Sequence, residues 1–375
     1  MKAIVHAGIV LEDGILEDAA VVFDDRIRQI LPDRAPDSCE IIDAGGKYLL
    51  PGLIDMHIHG YCGRETTEAS VDAQRAMAAA LLKDGVTGFL PTLGTAPLET
   101  IAGALEATRA CMRESGGAKV HGAYVEGVFI SEKKKGAHNA ALLLAPDYGF
   151  LERYKDVIKV VIVAPERYPD LIDWCVERNI VSSIGHTDAT YEQAMQGVRH
   201  GATQATHLFN AMRGIGHREP GAAGAALLSD GVRVELIADT VHVDRALFKL
   251  VYKVKGADGI VLITDSSIAA GLGPGIYRSN ERTIYVDGTV GRLENGTISG
   301  SVSPLRRNVY NFHRYGGAPL WEAVRMASLN PARALKIDGR VGSLRPGKCA
   351  DMFLCDAQLN VECTFLDGEC VYRRA

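Results

Sequence analysis

The sequence predicts an α/β protein in which a barrel of eight parallel strands adjoins a small β-sandwich. In the middle of the chain, short apolar runs of β type alternate with helical patterns, which is typical of parallel βαβ units. About eight such units favour a closed (β/α)8 barrel. An open doubly wound sheet is the alternative, but residues 57–60 read His-Ile-His-Gly where a glycine-rich dinucleotide turn would follow the first strand.

Both ends of the chain predict strands without helices. In the N-terminal part, turn pairs such as Asp13-Gly14 break short β-rich runs, and residues 21–23 and 27–30 are the arms of a predicted hairpin. In the C-terminal part, runs at 351–355, 361–366 and 369–372 repeat this pattern. Since neither end has enough strands to complete a sheet alone, we expect one composite β-sandwich domain from residues 1–50 and 341–375, with the barrel in residues 51–340.

The barrel elements follow from the alternation of apolar and amphipathic runs. Eight strands are predicted, at residues 52–59, 86–93, 119–126, 157–164, 180–187, 202–209, 232–239 and 259–266. Helices are predicted between most of them, for example at residues 69–83, 97–113, 169–178, 191–199 and 244–255.

Composition and charge narrow the class of protein. The 375 residues are 47% hydrophobic and 23% charged, which is enough apolar material for a large core. A net charge of −5 gives no indication of nucleic acid or an anionic membrane as a partner. The eight cysteines form no C-x-x-C pair, which predicts reduced and mostly buried thiols. Because the chain shows no signal-peptide pattern and no uninterrupted apolar run of about 18 residues, a cytoplasmic protein is expected.

Histidines and carboxylates recur where the predicted strands end. They are His57, His59, Glu126, His186, His207 and Asp265, at the ends of strands one, three, five, six and eight. A single histidine at a strand end is more often a packing residue, but the carboxyl ends of barrel strands meet at one face. His57 and His59 also point the same way, because alternate side chains of a strand share a face. The set predicts a metal site, and imidazoles with a carboxylate suit zinc or iron rather than magnesium or calcium.

Three residues have both a structural and a functional interpretation. Asp265 could be only a helix N-cap, but beside a metal it is better placed to act as a general acid/base. His138, on the long loop after strand three, would alone be a surface residue. Arg218, on the loop after strand six, is either solvated or binds a carboxylate or phosphate at a pocket rim. The basic run at residues 133–135 is most simply a solvated loop.

Longer motifs extend over nearly the whole chain. They are Pro-Gly-Leu-Ile-Asp-Met-His-Ile-His-Gly at 51–60, Glu-Gly at 126–127, Gly-His-Thr at 185–187, Thr-His-Leu-Phe-Asn-Ala-Met at 206–212, Arg-Glu-Pro-Gly at 218–221, Ile-Thr-Asp at 263–265, Gly-Thr-Ile-Ser-Gly-Ser at 296–301 and Ala-Ser-Leu-Asn-Pro-Ala-Arg-Ala at 327–334. Together they resemble the N-acetylglucosamine-6-phosphate deacetylases of the amidohydrolase superfamily. The first and last motifs are shared by many amidohydrolases, whereas those at 206–212 and 218–221 are more specific to the deacetylases.

The resemblance implies a TIM-like barrel of the amidohydrolase type and a divalent metal, zinc or iron, with one or two ions per subunit. Glu126, His186 and His207 would hold the principal ion. His57 and His59 match the family members in which the first-strand pair can hold a second ion.

The resemblance also implies the reaction, which is hydrolysis of an N-acetyl amide to acetate and an amino-sugar phosphate. Asp265 would be the catalytic acid/base, and His138 would polarise the acetyl carbonyl. The phosphate would contact the backbone amides of Asn210 and Ala211. The side chains of Arg218 and His242 would lie beside it. In the family this arginine comes from the neighbouring subunit, so a homodimer is implied.

The chain departs from the family pattern near the site, with Val128 for a proline, Thr240 for a glycine, Ser266-Ser267 for small or apolar residues, and Ser303-Pro304 after the Gly-Ser loop. The motifs therefore indicate the reaction more firmly than the identity of the sugar. N-acetylgalactosamine 6-phosphate and an unphosphorylated N-acyl compound are the alternative substrates. A cyclic amidase would use a carboxylated lysine near the end of strand four, but the only lysine there, Lys159, lies near the other end. A non-catalytic scaffold would lack ligands or the acid/base, and all are present.

Overall fold

The computed structural model of the protein describes residues 1–32, 36, 38–114, 116–279 and 282–374. Strands and helices alternate through its centre, as predicted. Barrel strands one to eight are Leu53–Ile58, Val86–Leu93, Ala123–Val125, Ile158–Val163, Val181–Ile184, Gln204–Ala205, Arg233–Ile237 and Ile260–Ile263. A two-residue segment, Lys119–Val120, precedes strand three and pairs with strand two.

The eight strands are parallel and follow one another around the sheet in chain order. The barrel closes between strands eight and one, where Ile58 pairs with Ser266 and the amide of Asp265 donates a 2.8 Å hydrogen bond to the carbonyl of His57. Because the strands are parallel, closure brings all their carboxyl ends to one face of the barrel. The predicted (β/α)8 barrel is therefore confirmed.

Helices cover the outside of the barrel. The α-helices are Val71–Leu81, Leu98–Cys111, Tyr148–Tyr154, Pro169–Glu177, Tyr191–Arg199, Gly221–Leu228, Arg245–Lys255, Leu305–Asn311, Leu320–Met326 and Leu329–Ala334. Polar side chains at the preceding residue, such as Ser70, Thr190 and Asp244, accept main-chain hydrogen bonds in the first turn and so determine where these helices begin. All five predicted helices are confirmed with shifts of at most two residues.

A second sheet joins the two ends of the chain. Its eight strands are Lys2–Val10, Ile15–Phe23, Ile27–Leu31, Glu40–Asp43, Tyr48–Pro51, Met352–Cys355, Val361–Leu366 and Glu369–Arg373. The ends meet where Tyr48–Pro51 pairs antiparallel with Met352–Cys355. The sheet curls around its core, because the rings of Phe23 and Phe365 stand on strands that are not neighbours and yet lie 5.7 Å apart. The expected joining of both ends is confirmed, whereas the domain division at residues 50 and 341 stays a prediction.

A three-stranded antiparallel sheet after barrel strand eight is not predicted. It consists of Gly275–Ser279, Arg282–Val286 and Gly291–Arg292. The hydroxyl of Ser279 donates to the buried carboxylate of Glu65, which attaches the sheet beside the end of strand one.

Two other sequence predictions have outcomes in the structure. All eight cysteines are unpaired, and five of them are buried, as expected. Within the described ranges, the helices are too short or too polar for any of them to cross a membrane.

Candidate active site

The six predicted ligand and acid/base residues come together at the carboxyl end of the barrel, around the buried carboxylate of Glu126. Oε1 of Glu126 is 3.1 Å from Nε2 of His186 and 3.2 Å from Nε2 of His207. Oε2 is 2.6 Å from Nε2 of His59 and 3.2 Å from Nε2 of His57. One carboxylate thus faces four imidazoles, two on each oxygen.

Asp265 extends the cluster on the His57 side. Its Oδ1 lies 3.3 Å from Nε2 of His59 and 3.6 Å from Nε2 of His57. The donor atoms form two groups that share Glu126, and in each group they lie within 4.8 Å of one another. The first group is His57, His59, Glu126 and Asp265, and the second group is Glu126, His186 and His207.

The donor set fits a divalent metal ion. In the second group, Nε2 of His186 and Nε2 of His207 are 3.0 Å apart and face the same carboxylate oxygen. Nδ1 of His207 is buried and has no hydrogen-bond partner among the described residues. Converging imidazole nitrogens with a carboxylate oxygen form the kind of ligand set that zinc and iron prefer.

The backbone is strained at three of these residues. His186, His207 and Asp265 have positive φ angles of 45°, 28° and 49°. Non-glycine residues rarely adopt this region, and such strain is concentrated at functional sites. The chain turns sharply at each strand end, and the turns keep the three side chains directed at the cluster.

The charges of the cluster are strongly coupled. Burial alone would raise the pKa of Glu126, but His57 and His59 outweigh it and hold that pKa well below its usual range. For Asp265, burial is likewise outweighed by the same two histidines, and its pKa falls to about 2. Burial lowers the pKa of His59, yet Glu126 and Asp265 raise it to about 9. Both carboxylates are therefore ionised and act as acceptors at neutral pH.

His138 lies on the loop after strand three and packs its ring 4.8 Å from that of His186. Its Nε2 is 3.9 Å from Oε2 of Glu126, whereas its Nδ1 accepts a 3.4 Å hydrogen bond from the amide of Thr95. Burial, followed by the neighbouring His186, holds its pKa well below the usual range. The ring is neutral, and because Nδ1 accepts, the hydrogen is on Nε2 and points toward the cluster.

The basic loop before His138 is closer to the site than predicted. Nδ1 of His186 donates a 2.8 Å hydrogen bond to the carbonyl of Lys134. The side chain of Lys133 is mostly solvated, as expected, but the main chain of this loop supports a ligand histidine. The expectation that residues 133–135 form only a solvated loop is therefore wrong for the main chain, because the carbonyl of Lys134 accepts the hydrogen bond from His186.

The four residues expected to contact a phosphate lie beyond strands six and seven. The amide of Asn210 already donates a 2.9 Å hydrogen bond to the carbonyl of His207, so it is not the free donor that was expected. The amide of Ala211 has no acceptor in the described part of the chain. Arg218 is exposed on its loop, and its guanidinium has no partner among the described residues.

His242 is held in place by Asp239. Its Nδ1 is 2.7 Å from Oδ2 of Asp239, and its amide donates to Oδ1 of the same carboxylate. Burial lowers the pKa of His242, but Asp239 more than offsets this and raises it. Thr240, which stands where the family has glycine, has a φ of 68° and so keeps the glycine-like turn. The substitution therefore leaves His242 fixed by its carboxylate.

Two supporting carboxylates are not predicted. Glu235, in strand seven, is fully buried beneath the cluster, and its Oε2 is 3.0 Å from Nδ1 of His57. Asp55, in strand one, accepts hydrogen bonds from the hydroxyl and amide of Thr264, the residue before Asp265. The available signal was an acidic residue inside each of two apolar strand runs, at 53–58 and 232–238.

Comparisons with known proteins agree with this geometry. The chain matches the Amidohydrolase family over residues 48–371. The N-acetylglucosamine-6-phosphate deacetylase of Lysinibacillus sphaericus is 34% identical over 355 residues, which cover 92% of this chain and 91% of the relative. The N-acetylgalactosamine-6-phosphate deacetylase of Escherichia coli O157:H7 is 33% identical over 368 residues, 96% of this chain and 97% of the relative.

A solved structure is similar over the whole fold. It is a mutant N-acetyl-D-glucosamine-6-phosphate deacetylase from Mycobacterium smegmatis in complex with N-acetyl-D-glucosamine-6-phosphate, which is 31% identical and has a TM-score of 0.91 over 99% of both chains. The family indicated by the sequence motifs is thus confirmed. This chain, with its metal-ligand cluster at the carboxyl end of a (β/α)8 barrel, belongs to the amidohydrolase family.

Proposed function

We propose that this protein is a metal-dependent deacetylase that hydrolyses the N-acetyl amide of N-acetylglucosamine 6-phosphate to glucosamine 6-phosphate and acetate. The observation that carries the proposal is the convergence of four imidazoles and Asp265 on the Glu126 carboxylate, in a chain whose relatives include deacetylases of this sugar phosphate.

The principal ion would be held by Glu126, His186 and His207, and a second ion by His57 and His59 with Glu126. Zinc or iron suits these nitrogen and oxygen donors. A divalent cation in this position supplies Lewis acidity, which makes water a better nucleophile and polarises the amide carbonyl. The remaining steps belong to side chains of the protein.

Asp265 would take a proton from the attacking water and return it to the sugar nitrogen. Its carboxylate is only 16% exposed and is ionised, so it can accept a proton in the first step. An amine leaves readily only when protonated, and the same carboxyl group, which lies beside the proposed metal site, would deliver that proton.

His138 would donate a hydrogen bond from Nε2 to the carbonyl oxygen as negative charge develops there. Its support by Thr95 fixes the required tautomer, and its low pKa keeps it neutral. A preorganised donor of this kind stabilises the transition state more than the ground state.

The phosphate would bind to the amide of Ala211, His242 and Arg218. A raised pKa favours the cationic form of His242, which suits an anionic ligand. The Asn210 amide is engaged with His207, so we assign it to shaping the loop rather than to the ligand.

We further propose a homodimer in which Arg218 reaches the neighbouring site, since its guanidinium is exposed and has no partner within the described residues. Mixing inactive Arg218→Ala and Asp265→Asn chains under exchange conditions would test this. Hybrid dimers combine an intact Asp265 with the partner's arginine, so activity should return. No recovery in confirmed hybrids would contradict the shared site. The cytoplasmic location and the two-domain division stay predictions.

The substrate is tested by acetate release from four compounds, namely N-acetylglucosamine and N-acetylgalactosamine, each with and without a 6-phosphate. We expect the highest kcat/KM with N-acetylglucosamine 6-phosphate and a large loss without the phosphate. Faster turnover of the galactosamine phosphate would select the first alternative, and faster turnover of an unphosphorylated sugar would select the second.

A cyclic amidase is disfavoured by the position of Lys159. This residue is at the start of strand four, where its Nζ donates to the carbonyl of Asp156, at the opposite end of the barrel from Glu126. It cannot bridge metals in the cluster.

A further inference from the structure

A fully buried carboxylate lies directly beneath the metal-ligand cluster. Glu235 is in the middle of strand seven, has no exposed surface and projects into the barrel between strands that carry polar side chains. A buried charge of this kind is unfavourable unless it is fully hydrogen-bonded. Its partners therefore indicate why it is there.

Four donors satisfy the Glu235 carboxylate. Oε1 accepts from the hydroxyl of Tyr124 at 3.0 Å and from Nε2 of Gln204 at 2.6 Å. Oε2 accepts from Nδ1 of His57 at 3.0 Å and from the amide of His207 at 3.3 Å. With two donors around each oxygen, the carboxylate acts as a hydrogen-bond acceptor on both sides.

This arrangement fixes the orientation of the His57 ring. Because Nδ1 faces Glu235, the other ring nitrogen, Nε2, faces the first group, 3.2 Å from Oε2 of Glu126 and 3.6 Å from Oδ1 of Asp265. The ring of Tyr124 packs 4.5 Å from the same imidazole and limits its rotation. Nε2 is thus directed at the carboxylates of the first group of ligands.

The histidines of the second group are supported differently. His186 donates to a main-chain carbonyl, that of Lys134, and Nδ1 of His207 has no partner among the described residues. The chain at His207 is also held by a 2.8 Å bond from the amide of Leu208 to the main-chain carbonyl of Glu235, which does not depend on the Glu235 side chain. Loss of the carboxylate would therefore affect the first group more than the second.

We propose that Glu235 is a positioning residue that enables the His57–His59 group to hold a second metal ion, while the Glu126–His186–His207 group binds its ion without it. The inference rests on the proposed metal site and extends it to a residue outside the ligand set. A carboxylate behind a ligand imidazole orients the ring and increases its basicity, and removing such a partner typically weakens metal binding about 10- to 100-fold.

Metal stoichiometry tests this directly. Metal-free protein is equilibrated with Zn2+ at a series of free concentrations, and the metal per chain is measured by elemental analysis. Wild type should bind two ions in separable steps. Glu235→Leu should keep the tighter step and weaken the other about 10- to 100-fold. Glu235→Gln, which keeps the shape and can still accept from Nδ1 of His57, should lie between the two and remains informative if the leucine variant does not fold.

Tyr124→Phe is the matched control. It removes one hydrogen bond to the same carboxylate but retains the ring that packs on His57, so both binding steps should persist even if the protein melts at a lower temperature. The inference is overturned by fewer than two ions per wild-type chain, by unchanged affinities in both Glu235 variants, or by equal weakening of both ions. Acetate release is measured separately, since wild type that binds two ions but releases no acetate contradicts only the proposed function.

Discussion

At the scale of single residues, the site depends on side chains placed where strands end. Residue order alone predicts His57, His59 and Glu126 as ligands, because strand ends converge in a barrel whatever the loops do. The positive φ of His186 and Asp265 could not be predicted, since it depends on how the following loops pack.

Support for the ligands was harder to predict than the ligands themselves. Glu235 is visible in the sequence as a carboxylate in an apolar run, but its contact with His57 joins strands one and seven across the barrel interior. Likewise, the engagement of the Asn210 amide with His207 is a property of one tight turn, and no residue pattern distinguishes it from a free donor.

Asp265→Asn tests the proton transfer. The amide has the shape of the carboxylate but cannot accept a proton, so kcat for acetate release should fall about 10²- to 10⁴-fold. The metal at Glu126, His186 and His207 should remain, as elemental analysis would verify. A variant with activity close to that of wild type would remove Asp265 from the mechanism.

Gly127→Ala tests the placement of His138. Gly127 has a φ of 88°, and a Cβ there would lie 2.7 Å from the His138 ring and 2.8 Å from the main-chain nitrogen of Thr95. We expect a loss of about 1–2 kcal/mol in unfolding free energy from the backbone strain, and in addition a fall in kcat as the ring is displaced.

The control for that substitution is Gly347→Ala. Its φ is 92°, but a Cβ there meets nothing within 4 Å, so stability should fall only by the backbone strain, less than in Gly127→Ala, with kcat unchanged. If the two variants have the same kcat, the Gly127 contact does not position a catalytic group.

At the scale of elements, the barrel strands were predictable because they are buried on both faces and read as continuous apolar runs. The helix Gly221–Leu228 is not predicted, since its Gly- and Ala-rich sequence is apolar all round and shows no amphipathic period. The three-stranded antiparallel sheet after strand eight lies where a barrel would continue with a helix. The one indication of it in the sequence is the alternation of buried Ile284 and Val286 with exposed Tyr285, which is typical of a β-strand.

A polar contact between Asp55 and Thr264 accompanies the main-chain pairing that closes the barrel between strands one and eight. Replacing Thr264 with valine leaves the buried carboxylate of Asp55 without its hydroxyl donor, which should lower the unfolding free energy by about 1–3 kcal/mol. Since Asp265 is the next residue, kcat should fall as well. Thr264→Ser keeps the hydroxyl and should approach wild type in chemical denaturation and in turnover. Equal stability of the valine and serine variants would show that this contact does not hold the strands together.

At the scale of the whole molecule, the chain returns to its start, and the last three strands complete a sheet begun by the first five. This joining was predictable because neither end has enough strands alone. The bottom of the barrel, below the site, carries a half-buried histidine, His121, whose packing on Gly88 and proximity to Lys119 and Arg340 no local pattern indicates.

His121 predicts a pH dependence of stability. Burial, followed by the nearby cations Lys119 and Arg340, lowers its pKa from 6.5 to about 4 in the folded chain. Below pH 6.5 the unfolded chain therefore binds a proton that the folded chain does not, and stability is lost as the pH falls toward 4, by at most about 3 kcal/mol.

In His121→Gln this part of the decline should disappear, as measured by urea unfolding between pH 7 and pH 4. The exposed His217, which has no partner among the described residues, serves as control, and His217→Asn should keep the wild-type slope. A His121→Gln slope identical to that of wild type would contradict the assigned pKa.

The most direct test of the central claim is the initial rate of acetate release from N-acetylglucosamine 6-phosphate by the metal-loaded protein. We expect one acetate and one free amine per substrate consumed, with kcat/KM in the usual enzymatic range of about 10⁴–10⁸ M⁻¹s⁻¹. The rate should be abolished by a chelator and restored by zinc or iron. A fully metal-loaded, folded protein that releases no acetate from this substrate would contradict the claim.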